Sequence, residues 1–455
     1  MQNLQQPTLK RELGKFESYA IIIGSLIGAG IFVVTGQAGG IAGPGVPFAY
    51  LLMLPVILST AMAYAVFMST PLGNEPGGAY THISRTFNNY FLGFIVMWLK
   101  LVSFFGVMSI MSLSFADYLT PYFPGLDSRI VATIVILGFY VIHVMGVKEF
   151  GRFQAIIFSI LVLAILVLVV PGLFHIKLEY YADPLPFGWK AFFSVFPTLF
   201  LSYLGFESLA QAAGETKNAR EVLPKVFLVG IILTATIYFL ISFVAFGVLP
   251  FDILAQSSSA MTDVASVYLP LGAAGLVSIG AIMAFVSTIN TAIMVPSRVM
   301  MMFANDRLAP QFFARINPKT HTPVLGLTLT VLIVLFLIWT GTMEFILGFT
   351  LQGMFILYMM HSLTMICLPF VNPQLYQSAR FRPHPAILVI AGLISVGTLF
   401  AFSYAIIMDV WKLLVFWVAL GVIIYGSARL AGKREQYDYK AAMGATKQEY
   451  AQPVQ

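Results

Sequence analysis

The run Gly24-Ser25-Leu26-Ile27-Gly28-Ala29-Gly30-Ile31-Phe32 decides how this chain folds, because it puts three glycines and two other small residues inside a long apolar stretch. That stretch covers residues 16–42, and about 20 helical residues are enough to cross the roughly 30 Å core of a bilayer. Glycine frees the backbone and gives it no side-chain shielding, so a helix can unwind here. The stretch therefore predicts a membrane-crossing helix that is interrupted near its centre.

Similar apolar stretches follow along almost the whole chain. Hydrophobic residues make up 59% and charged residues 10% of the 455 residues, whereas soluble domains carry about 25% charged residues. Short connections rich in Pro and Gly predict one all-α, polytopic membrane domain over 16–430, between an N-terminal tail (1–15) and a C-terminal tail (431–455). Its twelve predicted crossings cover residues 16–42, 46–70, 88–119, 128–146, 152–174, 190–214, 224–249, 271–303, 323–340, 343–370, 385–408 and 410–430.

Positive charge is distributed unevenly between the two sides of such a bundle. With twelve crossings both termini lie on one side, and all but five of the 25 Lys and Arg residues fall there. The exceptions are Lys100, inside the third crossing, and the loop residues Arg129, Lys177, Lys190 and Lys412. Because cytoplasmic loops are enriched in Lys and Arg, we expect a multi-pass protein of the cell membrane with both termini cytoplasmic. Orientation and anionic lipid account for the net charge of +6, and no nucleic-acid partner is expected.

The sixth crossing contains a second predicted interruption. It reads Phe200-Leu201-Ser202-Tyr203-Leu204-Gly205-Phe206-Glu207-Ser208, with a glycine and a carboxyl group near its centre. It comes five crossings after the first, so a second unit built like the first would run through the membrane upside down. Inverted repeats of this kind form their solute site from two discontinuous helices near the midplane. We therefore expect repeats over 16–174 and 190–370, followed by two extra helices over 385–430.

The exposed peptide groups of two interrupted helices can bind a zwitterion. Amides that open the outer half of the first crossing, at residues 28–30, suit a carboxylate. Carbonyl groups near residues 201 and 204, with that of residue 26, suit an ammonium group. For the first interruption alone, close helix packing through its glycines remains an open alternative. The predicted substrate-contact residues are Leu26, Gly28, Ala29, Gly30, Leu201, Ser202, Leu204 and Gly205.

These interruptions resemble the amino acid, polyamine and organocation transporter superfamily, in its amino acid permease type. The resemblance also rests on Pro76-Gly77-Gly78-Ala79-Tyr80, Gly214-Glu215-Thr216-Lys217-Asn218 and Ala304-Asn305-Asp306-Arg307-Leu308-Ala309-Pro310. It implies two inverted five-helix repeats plus helices 11 and 12, and secondary transport of an amino acid by alternating access. It further implies that residues 28–30 hold the substrate carboxylate while carbonyls of the sixth crossing hold the amine. No cofactor is expected, and no residue pair has metal-ligand spacing.

Two positions depart from the pattern of this superfamily. Many relatives place a large aromatic gate where this chain has Leu201, and Phe200 or Tyr203 could take that role. Several proton-coupled relatives carry a lysine nine residues after the arginine that opens the fifth crossing, where this chain has Leu161. Lysine-based proton coupling therefore does not transfer to this chain, and proton symport and substrate exchange both remain open.

Polar residues inside the crossings are further candidates, since burying a charge in a membrane is costly. Glu207 borders the second interruption and is expected either to gate or couple transport, or to pin the break by a hydrogen bond. Lys100 lies about three turns into the third crossing, where it either pairs with a carboxylate or lines the solute path. Ser103, Ser287 and Asn290 could add polar groups to the pocket or hydrogen-bond between helices.

Other functions are less well supported by the sequence. His143 and His361 stand alone on apolar helices and are interpreted as hydrogen-bonded packing residues rather than ligands. An intramembrane enzyme needs a nucleophile with its base, or a metal cluster, and neither pattern is found, so no enzymatic activity is expected. A channel or a solute sensor that does not transport is the alternative from another class. Among carriers we favour neutral amino acids, with cationic amino acids or polyamines as the alternative because Glu207 could serve as their counter-ion.

Overall fold

The computed structural model describes residues 8–28, 30–119, 123, 125–257, 259–341, 343–434, 437–439 and 441 of the 455-residue chain. Within them the secondary structure is helical, apart from one isolated bridge between Leu13 and Thr216. The first nine α-helices are α1 (Lys15–Leu26), α2 (Thr35–Ala42), α3 (Val46–Ser69), α4 (Ala79–Phe87), α5 (Tyr90–Leu119), α6 (Ser128–Met145), α7 (Val147–Gly172), α8 (Gly188–Ser194) and α9 (Phe196–Phe200). The other nine are α10 (Ser208–Gln211), α11 (Ala219–Val248), α12 (Phe251–Gln256), α13 (Ala260–Tyr268), α14 (Leu271–Asn305), α15 (Val324–Thr340), α16 (Met343–Val371), α17 (Pro373–Gln377) and α18 (Pro385–Arg434).

Shorter turns connect these helices. A π-helical turn covers Gly30–Val34, and 3-10 turns cover Gly43–Gly45, Pro71–Asn74, Leu173–His175, Leu178–Tyr181, Leu201–Tyr203, Ala213–Glu215 and Gln311–Ala314. Two of the turns lie inside predicted crossings: the π-helical turn separates α1 from α2, and the turn at Leu201–Tyr203 separates α9 from α10. The first and the sixth crossings are therefore built from several short helical pieces.

Ten helical segments of the described residues are long and apolar enough to cross a bilayer. Two predicted crossings fall outside that count for physical reasons. The first is divided, and α1 has only 12 residues. The ninth, α15, has 17 residues, which extend over about 25 Å. With these two included, the segments correspond to the twelve predicted crossings, and the all-α, polytopic fold class is confirmed.

The N-terminal segment is tied to the end of the sixth crossing. The amides of Glu12 and Leu13 each donate to the carbonyl of Glu215 at 3.0 Å, and the amide of Lys217 donates to the carbonyl of Leu13 at 2.9 Å. The Glu215 carboxylate also accepts two hydrogen bonds from Arg298 of α14, at 2.8 and 3.3 Å. We call this end of the bundle the inner end and the opposite end the outer end.

The eleventh and twelfth predicted crossings are joined in one helical element, α18, whose contacts show that the chain turns back. Arg380, just before α18, pairs with Glu221 near the inner start of α11. Val410, halfway along α18, lies against Gly348 near the outer start of α16. After α18, the hydroxyl of Tyr439 bonds to the loop that follows α14, again at the inner end. A straight helix of 50 residues would be about 75 Å long, and these contacts instead require two antiparallel arms.

Candidate functional site

The first crossing unwinds where the glycines predict it. α1 ends at Leu26 and the π-helical turn begins at Gly30, while Ala29 lies outside the described residues. A Cβ on Gly30 would lie 2.6 Å from the Cα of Ser202 in the sixth crossing. A Cβ on Gly28 would lie 2.6 Å from the hydroxyl oxygen of Thr288. The glycines therefore serve both predicted purposes, because the helix is interrupted and its neighbours approach closely.

The second interruption lies between the turn Leu201–Tyr203 and α10. Leu204 is extended, with ψ 147°, and Gly205 has φ +112°. This region of backbone space is readily available only to glycine. A Cβ on Gly205 would lie 2.8 Å from the carbonyl oxygen of Ser25. The two interruptions are thus in direct contact with each other.

A tyrosine of the seventh crossing connects the carbonyl ends of the two interrupted helices. The hydroxyl of Tyr238, in α11, lies 2.5 Å from the carbonyl oxygens of both Leu26 and Ser202. Because a hydroxyl has one proton, it donates to one of them at a time. The Leu26 carbonyl also accepts a hydrogen bond from the Gly28 amide at 2.8 Å. While Tyr238 donates to Leu26, that carbonyl has no lone pair left for a substrate ammonium.

A cavity of about 290 Å³ lies between the two interruptions and extends towards the outer end. Its walls come from the first, third, sixth, eighth and tenth crossings. Polar groups are contributed by Ser25, Gln37, Ser114, Thr198, Ser208, Thr288, Thr291 and Thr350. Apolar side chains are contributed by Leu26, Val34, Phe104, Val107, Ile110, Met111, Leu201, Leu204, Ala292, Leu347 and Met354. Ligand sites of this kind are typically apolar with a few placed polar groups.

Most of the predicted substrate-contact residues line this cavity. The six that do so are Leu26, Gly28, Gly30, Leu201, Leu204 and Gly205. Ser202 does not, since it lies behind Gly30 with its hydroxyl 3.3 Å from that of Tyr50. The eighth, Ala29, is the residue outside the described part of the chain. The glycine pattern therefore located the cavity, although it did not show which side of the sixth crossing faces it.

One backbone donor and one backbone acceptor are available at the cavity. Gly30 begins its helical turn, so its amide has no partner within that turn, and Leu204 lies outside the helices. Among the described residues, none accepts a hydrogen bond from the Gly30 amide and none donates to the Leu204 carbonyl. Both residues line the cavity. An anionic and a cationic group of one small molecule could therefore be bound there together.

The predicted aromatic gates point away from the cavity. Phe200 packs on Phe355 and Phe402, with ring centroids 5.5 and 5.9 Å away. The hydroxyl of Tyr203 donates to a carbonyl of α3 at 3.1 Å. The aromatic residue in the described cavity wall is instead Phe104 of α5. Its signal in the sequence is weak, because 40 phenylalanines are spread along the chain.

Lys100 and Glu207 form an ion pair just to the inner side of the cavity. Their Nζ and Oε1 atoms are 2.5 Å apart, and both side chains are buried. The other carboxylate oxygen, Oε2, accepts hydrogen bonds from the hydroxyl of Tyr358 and, at 3.2 Å, from the amide of Gly205. Met354, which lines the cavity, contacts the Lys100 ammonium. Of the alternatives considered for Lys100, pairing with a carboxylate is the one observed.

The predicted polar residues of the third and eighth crossings connect helices and are not part of the cavity wall. Ser103 donates to a carbonyl of α16 at 2.8 Å. Ser287 donates to a carbonyl of α1 at 2.8 Å and accepts from Gln154 of α7 at 2.7 Å. Asn290 donates to the same Gln154 at 2.9 Å. The eighth crossing contributes Thr288 to the cavity wall instead.

Comparison with known proteins gives a consistent result over nearly the whole chain. A family model described as amino acid permease matches residues 13–426. The chain is 25% identical to the branched-chain amino acid permease BcaP of Bacillus subtilis, over 92% of this chain and 93% of that protein. It is also 25% identical to the methylthioribose transporter of Bacillus subtilis, with the same coverage. With cationic amino acid transporter 9, chloroplastic, of Arabidopsis thaliana it shares 29% identity over 68% of this chain and 58% of that protein.

Proposed function

This chain belongs to the amino acid permease family, whose members transport solutes and are not enzymes, and we propose that it carries neutral amino acids by alternating access. One observation supports this above all: Gly30 and Leu204 line the same cavity of about 290 Å³, and the Gly30 amide and the Leu204 carbonyl have no hydrogen-bond partner among the described residues. Helix amides suit the α-carboxylate, and the carbonyl groups of a broken helix suit the α-ammonium. The remaining wall then receives the side chain.

That wall favours a side chain without charge. Phe104 and Met111 of α5 face Leu347 and Met354 of α16 across the cavity. Among the described residues, no Asp, Glu, Lys or Arg lines it. Glu207, which could have balanced a second amine, is already paired with Lys100. A cationic side chain would lose its hydration without gaining a counter-ion, so neutral amino acids are preferred over cationic ones and polyamines.

The closed inner end fits one state of an alternating-access cycle. Arg298 and Glu215 are joined at 2.8 Å, and Arg85 and Asp306 at 2.9 Å, both pairs being largely buried. The cavity extends the other way, along Val34 and the residues around it. In this proposal the inner end is cytoplasmic, as the distribution of Lys and Arg predicts, and the structure corresponds to a state open to the outside of the cell.

Binding of purified protein to a panel of solutes tests the proposal. We expect leucine, valine or a similar neutral amino acid to raise the thermal stability, by about 2.7 kcal/mol at a hundred times its Kd. Arginine and putrescine should have little effect. Leucinol and 4-methylpentanoate, which each lack one of the two charged groups, are matched controls and should compete poorly. Stabilisation by putrescine but not by leucine would favour the polyamine alternative.

Transport must then be separated from binding alone. Protein in proteoliposomes loaded with the bound amino acid should take up the labelled amino acid by counterflow, at carrier rates. Binding without counterflow would favour a solute sensor. A conductance far above carrier turnover would favour a channel.

Substitution of Tyr238 by phenylalanine is expected to weaken substrate binding about fivefold to tenfold. The hydroxyl holds the carbonyl ends of the two breaks in position beside the Leu204 carbonyl, the proposed acceptor for the ammonium, and a single hydrogen bond contributes about 1 kcal/mol net. The dissociation constant of the bound amino acid provides the measurement. Tyr140→Phe is the control, because its hydroxyl bonds to Thr328 of α15 at 2.9 Å, away from both breaks. Equal affinity of the two variants would contradict a role for Tyr238.

A further inference from the structure

Two buried histidines form a pair between the cavity and the inner end. Nδ1 of His82, in α4, lies 2.9 Å from Nε2 of His361, in α16. Their exposed fractions are 0% and 1%. The sequence interpretation of His361 as an isolated, hydrogen-bonded packing residue did not identify His82 as its partner. The two are 279 positions apart, so their contact leaves no local signal.

In each histidine of the pair, the ring nitrogen that faces away from the other ring has no hydrogen-bond partner among the described residues. These atoms are Nε2 of His82 and Nδ1 of His361, and the hydroxyl of Tyr64 in α3 is likewise without a partner. The ring of Tyr64 lies 4.1 Å from that of His361. Buried polar groups are normally hydrogen-bonded, so three unpartnered ones on three helices mark a polar site with a use beyond packing.

The hydrogen bond between the rings determines how many protons the pair can take up. One facing nitrogen must carry a proton and the other a lone pair. In either tautomer of the neutral pair, one of the two nitrogens that face away from the other ring is then unprotonated and can accept a proton. One additional proton can bind there and leave the hydrogen bond intact. A second added proton would protonate both facing nitrogens and break the hydrogen bond between the rings, so the pair binds one proton as a unit.

The surroundings can hold that added charge. The ring of Phe67 stacks on His82 and His361 at 4.8 and 5.2 Å, and aromatic faces attract cations. Two buried ion pairs flank the histidine pair: Lys100 with Glu207 towards the cavity, and Arg85 with Asp306 towards the inner end. Tyr64 and Tyr358 are nearby titratable side chains, and Arg220 of α11 donates to the carbonyl of Ser69 in α3. The two ion pairs thus place no net charge beside a proton on the pair.

A continuous set of buried groups connects the pair with the cavity. Tyr358 lies one turn before His361 on α16 and donates to Glu207, which in turn accepts from the amide of Gly205. The ring of Tyr64 contacts both His361 and Phe206, the residue before Glu207. Contiguity alone does not establish energetic coupling, but it gives a protonation change at the pair a physical connection to the break in the sixth crossing.

We propose that the pair His82–His361 is the binding site for one proton that is transported together with the amino acid. This inference rests on the proposed function, because proton coupling requires a transported solute. The proton comes from hydronium on the outer side: one O–H bond of hydronium breaks, one N–H bond forms on the pair, and the pair gains one positive charge. Both rings are shielded from the two ends of the bundle, as a coupled ion must be in one phase of the cycle. Separation of α4 from α16 then releases the proton at the inner end.

Proton-coupled uptake provides the first test, with His82→Gln and His361→Gln compared in proteoliposomes. Under an inward proton gradient, the wild-type protein should accumulate the amino acid about tenfold and acidify a dye inside the vesicles. Both variants should lose accumulation and acidification, while counterflow of the amino acid stays within about twofold. His143→Gln is the matched control, since this buried histidine bonds to the carbonyl of Asn290 at 2.9 Å and lies outside the pair. Unchanged coupled uptake in both pair variants would overturn the proposal.

A second measurement needs no transport, and its main reading comes from the wild-type protein. Nitrogen NMR of labelled histidine in nanodiscs can follow the wild-type imidazoles between about pH 4 and pH 9. We expect two coupled imidazoles to take up a single proton. In His82→Gln this coupled titration should be lost, with one unpaired imidazole remaining, whereas His143→Gln should keep it. If counterflow occurs and the pair takes up no proton, the coupling site is wrong while the proposed function stands. If the pair takes up a proton and no amino acid binds, the proposed function is wrong instead.

Discussion

Gly205→Ala is expected to lower amino acid uptake at least 100-fold while leaving the protein in the membrane. Gly205 has φ +112°, and a Cβ there would lie 2.8 Å from a backbone oxygen of α1, which cannot rotate away. Unfavourable backbone conformations cost about 1–3 kcal/mol for residues other than glycine. A 100-fold loss corresponds to about 2.7 kcal/mol, so strain and the clash together are sufficient. Initial uptake per folded protein in proteoliposomes is the quantity to measure.

Gly138→Ala is the matched control for this substitution. Gly138 lies inside α6, where an added Cβ meets nothing within 4 Å, and alanine is the better helix former by about 1 kcal/mol. Its uptake should equal that of the wild type. Gly30→Ala, whose Cβ would meet the backbone of Ser202 at 2.6 Å, should behave like Gly205→Ala. Normal uptake by Gly205→Ala or by Gly30→Ala would show that direct contact between the two interrupted helices is not required for transport.

The sequence predicted the breaks well because their cause is local. Gly24, Gly28 and Gly30 lie in the first crossing and Gly205 in the sixth, and each weakens its own helix wherever the rest of the chain lies. Which side of the sixth crossing faces the cavity is determined by contacts with other parts of the chain. Ser202 faces away because Gly30 fits against its backbone, and this contact joins residues far apart in the chain. Six of the eight predicted substrate-contact residues line the cavity, and their contact with a substrate stays a prediction.

The residues at the breaks that the sequence analysis did not identify have hydrogen-bond partners that are distant in sequence. Tyr238 is 212 positions from Leu26, and Gln154 is 133 from Ser287. Neither residue type stands out inside an apolar helix, and no periodicity indicates its partner. The arrangement of α18 was harder for another reason. Its two arms follow each other without a break in helical structure, so the turn between them is evident only from contacts with α11, α16 and the loop that follows α14.

The ion pair beneath the cavity leads to the second large effect, a change of both stability and substrate range in Lys100→Met. The substitution leaves the Glu207 carboxylate buried without its counter-ion, and removing one partner of a buried pair costs about 3–5 kcal/mol. We expect a clearly lower melting temperature in detergent. Met354 lines the cavity and contacts the Lys100 ammonium, so in the variant it lies beside the position that the ammonium has left. A cationic amino acid that displaces it gains the counter-ion, so lysine or arginine uptake should rise at least tenfold relative to leucine uptake.

A double variant, Lys100→Met with Glu207→Gln, separates the two effects. It removes both charges and keeps a hydrogen-bonding group beside Tyr358 and the Gly205 amide, so most of the stability should return. Without a carboxylate it should not gain cationic substrates. Arg152→Met controls for the loss of a basic residue as such, because its partner Glu149 is on the surface and exposed pairs contribute little. Cationic uptake that rises equally in the single and double variants would mean that Glu207 is not the counter-ion, and that Lys100 excludes cations by its own charge alone.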